Sequence, residues 1–209
     1  MKGFVDLWVD IDPDLIDRVA DIAYTMGYTV LCIEDKGFNW RTKRWNKVLV
    51  VKKRTIEAAG EKNLKEKLRG IKTVYPIVSV KPLDVQAARL AARDGRVDTI
   101  VLDKDSIDYI DKTQALMMKQ FRKVLEVPIN VFLESNNKIR AMMYRRIHMF
   151  YYYDVPVVFS SHARDWNQLI HPRSLVELLH TLTGIERKHL VYSISGLCVE
   201  LLSKNGVRA

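Results

Sequence analysis

The stretch Ala91-Ala92-Arg93-Asp94-Gly95-Arg96-Val97-Asp98-Thr99-Ile100-Val101-Leu102-Asp103 joins the end of an alanine-rich helix to a buried strand through a tight Asp-Gly turn. A helix that stops and hands over to an apolar strand within a few residues is one half of a βαβ unit. Two arginines and two aspartates crowd the junction, more charge than capping requires. By spacing alone the charges could serve a solvated loop or a ligand.

The same rhythm extends in both directions. Upstream, strands are predicted at Phe4–Val9, Thr29–Ile33, Lys47–Val51 and Val74–Val80. Asp12 and Pro13 open a helix whose apolar face is Leu15, Ile16, Val19, Ala20, Ile22, Ala23 and Met26, with Gly27 as its stop. Residues 37–45 read as a loop rich in bases and aromatics, and 56–69 as a charged helix. Pro76 argues mildly against a central place for its strand. A helix over 83–93 places Leu83, Ala87, Leu90 and Ala91 inward.

Downstream, Val97–Leu102 is a fifth strand. A helix over 113–125 would bury Leu116, Phe121, Val124 and Leu125, and Ile129–Leu133 a sixth strand. A long helix spans 137–152. Pro156 opens the strand Val157–Ser160, Pro172 starts a helix ended by Gly184, and Leu190–Ile194 reads as an eighth short strand. The strands are apolar on both faces, as in parallel sheets covered by helices. Seven or eight such steps in 209 residues predict a single-domain α/β barrel of the TIM type. No Gly-rich dinucleotide fingerprint follows any strand, which disfavours an open doubly wound sheet.

The net charge is +9, unevenly placed. Residues 41–72 carry twelve Lys or Arg against three acids, and 41–54 carry seven bases and no acid. Such a stretch suits a polyanion. Phe38, Trp40 and Trp45 interleave with Arg41, Lys43 and Arg44, a mixture that fits base stacking and phosphate contact, or equally rings that anchor a loop. No apolar run reaches the roughly 18 residues of a membrane span. The segment from Met1 to Asp6 lacks signal-peptide features. Cys32 and Cys198 have no zinc-like spacing and read as reduced core thiols, so a cytoplasmic location is expected.

A barrel of this type presents its chemistry at the C-terminal ends of its strands. There the sequence offers Asp10, Asp12, Glu34, Asp35, Asp103, Glu134 and Ser160-Ser161-His162. Carboxylates with one histidine could hold a divalent metal, so a metal-dependent phosphoesterase or amidohydrolase-like barrel is the alternative reading. Against it, the first strand reads Asp6-Leu7-Trp8-Val9-Asp10 rather than His-x-His. His148, His162, His171, His180 and His189 all fall in the last third, and only His162 is placed at the mouth. Helix and turn capping is the favoured role for these carboxylates. No nucleophile elbow or phosphate loop is present. A plain interaction scaffold without RNA contact is a third possibility.

The chain resembles the family of archaeal ribonuclease P protein component 3, relatives of the thirty-kilodalton subunit of eukaryotic ribonuclease P and MRP. The resemblance rests on Phe4-Val5-Asp6-Leu7, on Ala91-Ala92-Arg93-Asp94-Gly95-Arg96-Val97-Asp98, on Pro156 to Ala163, and on Pro172-Arg173-Ser174-Leu175, in that order. It implies a TIM-like barrel that is not itself the catalyst. In that enzyme the RNA, with Mg²⁺, removes the 5′ leader of precursor tRNA. The chain would bind no cofactor. It would act with a small partner, component 2 (similar to the eukaryotic Pop-five protein), and with other protein subunits. Arg93 and Arg96 are then the first candidates for RNA contact, followed by Arg173, the cluster Arg41, Lys43 and Arg44, and Lys123 beside Arg122. Candidate partner faces carry Met117, Met118 and Phe121, or Tyr151 and Tyr152. Relatives often have a small residue such as Gly where this chain has His162.

Overall fold

The computed structural model describes residues 3–208; Met1, Lys2 and Ala209 lie outside them. Seven parallel strands form the barrel in the order β1 (Phe4–Val9), β2 (Tyr28–Glu34), β4 (Val48–Ala58), β5 (Ile77–Pro82), β6 (Thr99–Val101), β7 (Val124–Pro128) and β8 (Val157–Ser160). The eighth strand of the sheet, β3 (Thr42–Trp45), runs antiparallel to the lower half of β4. Around them lie α1 (Ile16–Thr25), α2 (Glu61–Lys67), α3 (Ile71–Val74), α4 (Val85–Arg93), α5 (Lys112–Gln120), α6 (Ile129–Glu134), α7 (Asn137–Tyr152), α8 (Pro172–Thr183), α9 (Arg187–Ser193) and α10 (Gly196–Lys204).

The predicted barrel is present, with local corrections. Leu190–Ile194 is not a strand: it falls in and just after α9, and its Ile194 carbonyl accepts the Val5 backbone N–H at 2.9 Å. Ile129–Leu133 is helical, and the strand is instead Val124–Pro128. Glu126 looks like a break in that apolar run, yet it is fully buried against Lys53, and that partner is 73 residues away. The helix expected to 125 therefore ends at Gln120, and Leu116 and Phe121 are exposed, as is Leu83. Residues 56–58 finish β4 with Ile56 and Ala58 buried about an exposed Glu57, a period of two. Val74 ends α3, and β5 begins only after Pro76. Asp12 makes no side-chain cap; its carboxylate takes the Lys36 ammonium at 3.0 Å.

The barrel closes between β1 and β8 without a regular ladder. Trp8 O accepts the His162 N–H at 2.7 Å, Ala163 O accepts the Asp10 N–H at 2.8 Å, and Asp6 Oδ1 accepts the Ser161 N–H at 3.0 Å. His162 sits at φ 52°, left-handed backbone that favours glycine.

The interior is layered. Val5, Leu7, Val30, Cys32, Val51, Ile77, Val124 and Val158 line its lower half, and α10 plugs it with Leu197, Cys198, Leu201 and Leu202. Each such leucine contributes roughly 2 kcal/mol by leaving water. Both cysteines are buried free thiols, and burial pushes them well above the usual thiol range. Above lies a polar layer. Lys53 Nζ meets Glu126 Oε1 at 2.5 Å, and Ser79 and Thr99 donate to Glu126 Oε2 at 2.8 and 2.6 Å.

Candidate nucleic-acid interface

The Arg-Asp-Gly-Arg-Val-Asp junction lies beneath the barrel, at the N-terminal end of β6, and its aspartates face inward partners. Asp94 grips the Arg96 guanidinium at 2.7 and 2.9 Å. Arg96 also donates to Leu68 O at 3.1 Å. Asp98 is buried and receives the Lys72 ammonium, the Val78 N–H at 2.8 Å and the Asn205 amide at 3.0 Å. The motif therefore ties α3, β5 and the end of α10 to one carboxylate. Arg93 reaches across to Glu61 at 2.6 Å. The side chains of Arg93 and Arg96 remain 47% and 39% exposed, so each keeps a face toward solvent.

Lys123 corrects its expectation. It is buried, and its ammonium donates to Asp94 O and Val97 O at 2.6 Å each. Burial, then the nearby Lys204, lowers its pKa to about 8. A lysine committed to two carbonyls supports the motif's turn and does not reach a phosphate.

Lys43 and Arg44 stand exposed on β3, and Arg41 stands exposed just before it. Lys43 Nζ lies 4.3 Å above the Trp45 ring. Phe38 and Trp40 stack at 4.7 Å, Trp40 meets Trp45 edge-on at 5.2 Å, and all three pack on the core under α1. These rings anchor the hairpin. Arg41 is close enough to Lys72 to depress its pKa, together with Lys204, after the larger effect of burial. The hairpin and the motif thus share one basic end of the barrel. Sequence reasoning missed Arg69 and Lys204 at this end; both are exposed, as is Arg122. Among the described residues, Arg41, Lys43, Arg44, Arg69, Arg122 and Lys204 enter no ion pair. Arg173 is exposed on the first turn of α8 and shares no partner with this cluster.

The opposite end is different. A cavity of about 440 Å³ at the mouth is lined by Trp8, Asp10, Glu34, Thr55, Glu57, Lys81, Asp103 and His162, among others. Asp12, Asp35 and Glu134, expected there, do not line it. Lys81 takes Glu57, Asp103 and Asp105 at 2.9, 3.0 and 2.7 Å, and Lys36 takes Asp10 at 3.2 Å. These ammonium groups already occupy the carboxylates that a divalent ion would need. Among the described residues no three His, Cys, Asp or Glu side chains converge as metal ligands.

Residues 3–209 match the model of the family described as RNase P subunit p30. No curated protein matches significantly. Among solved structures, a chain of "archaeal Ribonuclease P with mature tRNA" superposes with TM-score 0.78 at 18% identity, covering 95% of this chain and 90% of that one. A prolidase complexed with N-methylphosphonate-L-proline gives TM-score 0.67 at 10% identity, covering 100% and 77%. A Xaa-Pro dipeptidase with bound methionine gives 0.58 at 11%, covering 98% and 76%. The peptidase likenesses show a common barrel and nothing of activity. With the lysine-filled mouth and the full-length profile match, they leave the metal-hydrolase alternative unsupported. The chain belongs to the RNase P subunit p30 family and is a protein subunit of that enzyme.

Proposed function

We propose that the basic end of the barrel binds the phosphates of the ribonuclease P RNA and holds its fold, while the RNA, with Mg²⁺, cleaves the 5′ leader from precursor tRNA. One observation carries this reading: among the described residues the exposed cations Arg41, Lys43, Arg44, Arg69, Arg122 and Lys204 enter no ion pair, and Arg69, Arg122 and Lys204 stand next in sequence to Leu68, Lys123 and Asn205, which bond directly to the motif. Arg93 and Arg96 add partly paired guanidiniums to the same face, and Arg173 a separate contact. Phosphate neutralisation by such groups releases counterions and makes affinity salt-dependent. The archaeal enzyme whose chain superposes here was captured with mature tRNA, which supports a place for this chain beside RNA and tRNA. In this reading the chain contributes no catalytic residue and binds no cofactor. It works in the cytoplasm with component 2, the Pop-five-like partner. Among the described residues no helix is long and apolar enough to cross a membrane.

The test is cleavage of precursor tRNA by the cognate RNA plus component 2, with and without this chain. A large gain in rate, or a lowered Mg²⁺ requirement, is expected. No gain with an RNA shown to be active would overturn the assignment.

A further inference from the structure

The helical layer of the barrel has a gap over β4. Val50, Lys52, Arg54 and Ile56 share the outward face of that strand by its period of two. In a barrel such positions lie under the surrounding helices. Val50, Lys52 and Ile56 are buried, and Arg54 between them is exposed. The cause lies in the connection that follows the strand. α2 ends at Lys67, Gly70 takes a left-handed φ of 64°, and α3 is a single turn. The layer broken at Gly70 leaves a cavity of about 560 Å³ beside Arg54.

The lining decides what fits. Arg54, Lys67 and Arg69 bring three cations to this cavity, and among the described residues none of them enters an ion pair. Lys67 donates to Glu57 O at 2.8 Å, which fixes its ammonium and leaves its charge unanswered. The carboxylate in the lining, Glu57, is held by Lys81 at 2.9 Å. Asp35 accepts the Tyr75 hydroxyl at 2.6 Å and has Lys52 at 3.4 Å. Three like charges around one concavity repel each other unless an anion enters. Ile71, Val74 and the Tyr75 ring add apolar surface, and Val74 is 40% exposed. Arg69 follows Leu68, whose carbonyl accepts the Arg96 guanidinium. The cavity therefore adjoins the Arg-Asp-Gly-Arg-Val-Asp junction.

We propose that this cavity takes one unpaired nucleotide of the RNA, its phosphate on Arg54, Lys67 and Arg69 and its base against Ile71, Val74 and Tyr75. A continuous helix keeps its bases stacked and offers a protein its backbone, for which exposed cations suffice. A concave site that joins cations to apolar and aromatic surface suits a base out of the stack, and the volume is that of a small-ligand site. The inference rests on the RNA reading and deepens it. The hairpin's cations grip backbone of any form, and this cavity selects a bulge or loop.

The experiment measures binding of the full chain to three labelled RNAs by fluorescence anisotropy. They are a perfect duplex, the same duplex with one bulged uridine, and that bulged duplex with the base removed from the bulge. The bulged uridine should raise affinity about fivefold or more over both others. Arg54→Ala should remove the preference, and so should Val74→Asp, which sets a carboxylate against the phosphate. Thermal melts check that both variants fold, and if one does not, the other carries the comparison. Arg44→Ala should weaken all three RNAs alike. The proposal is overturned if the base makes no difference, if a folded variant keeps the preference, or if the three RNAs do not bind. In each of those cases salt-dependent binding of the ribonuclease P RNA would still uphold the RNA reading, and its absence would end that reading too.

Discussion

Asn205 donates its side-chain amide to Asp98 Oδ1 at 3.0 Å, across 107 residues of sequence. The same carboxylate takes the Lys72 ammonium and the Val78 N–H. A single buried aspartate thus fastens the end of α10 under the barrel that α10 plugs. Asp98→Ala removes the counter-charge of a largely buried ammonium, which keeps only the Pro76 and Asn205 oxygens, and takes the carboxylate acceptor from the buried Val78 N–H. It should cost about 3 kcal/mol or more. Urea unfolding of the full chain measures this, and a loss below about 0.5 kcal/mol would refute the role.

Lys123 and Arg44 should behave in opposite ways. Lys123→Met removes the donor for Asp94 O and Val97 O, so stability should fall by about 1–3 kcal/mol with the salt slope of RNA binding intact. Arg44 is exposed on β3. Arg44→Ala should hold stability within about 0.5 kcal/mol and lower that slope by about 0.7–0.9. Filter binding across a salt series, beside thermal melts, reads both. Equal slopes for Arg44→Ala and the parent chain would remove Arg44 from the interface.

The Lys53–Glu126 pair lies at the barrel's centre with both side chains fully buried. Lys53→Met alone strands a buried carboxylate and should cost about 3–5 kcal/mol. Glu126→Gln can keep the bonds from Ser79 and Thr99. The double variant should therefore recover much of the loss, and a double-mutant cycle with no coupling would contradict this account.

Two groups give stability opposite pH dependences. Asp6 is raised to about 6 by burial, against the hydrogen bonds from Ser161. Its folded pKa exceeds the unfolded value, so the folded state binds more protons between about 4 and 6, and stability falls as pH rises through that window. Asp6→Asn should gain on the parent chain above pH 6 by at most roughly 3 kcal/mol, and the gain should shrink as pH falls toward 4. A pH-independent difference would argue against a buried, titrating Asp6.

His162 runs the other way. Its folded pKa is lowered to about 4 by burial and Arg164. The stability from keeping it neutral is complete above about 6.5 and is lost as pH falls toward 4. His162→Asn, tolerant of the left-handed backbone, should abolish this loss in unfolding measured at pH 7 and pH 5. An unchanged pH slope in that variant would place the titration elsewhere.

Much of this protein was legible in its sequence. Apolar runs of strand length alternating with one-sided helices determine a parallel barrel, because only such a sheet buries both faces of its strands. The basic window 41–54 and the Arg-Asp-Gly-Arg-Val-Asp junction marked the end that carries the charge. What sequence could not decide depended on partners distant along the chain. Glu126 reads as a break until Lys53 stands 2.5 Å away. Lys123 reads as a free cation until two carbonyls claim it. Residues 42–45 read as loop until the lower edge of β4 offers them a ladder, and Leu190–Ile194 reads as a strand although the chain there folds into α9. The mouth's carboxylates suggested a metal until Lys36 and Lys81 were found among them. Local pattern fixes where apolar surface must be buried. Whether a charge is spent inside the molecule or left for a ligand is decided by desolvation and pairing, and those exist only once the chain is folded.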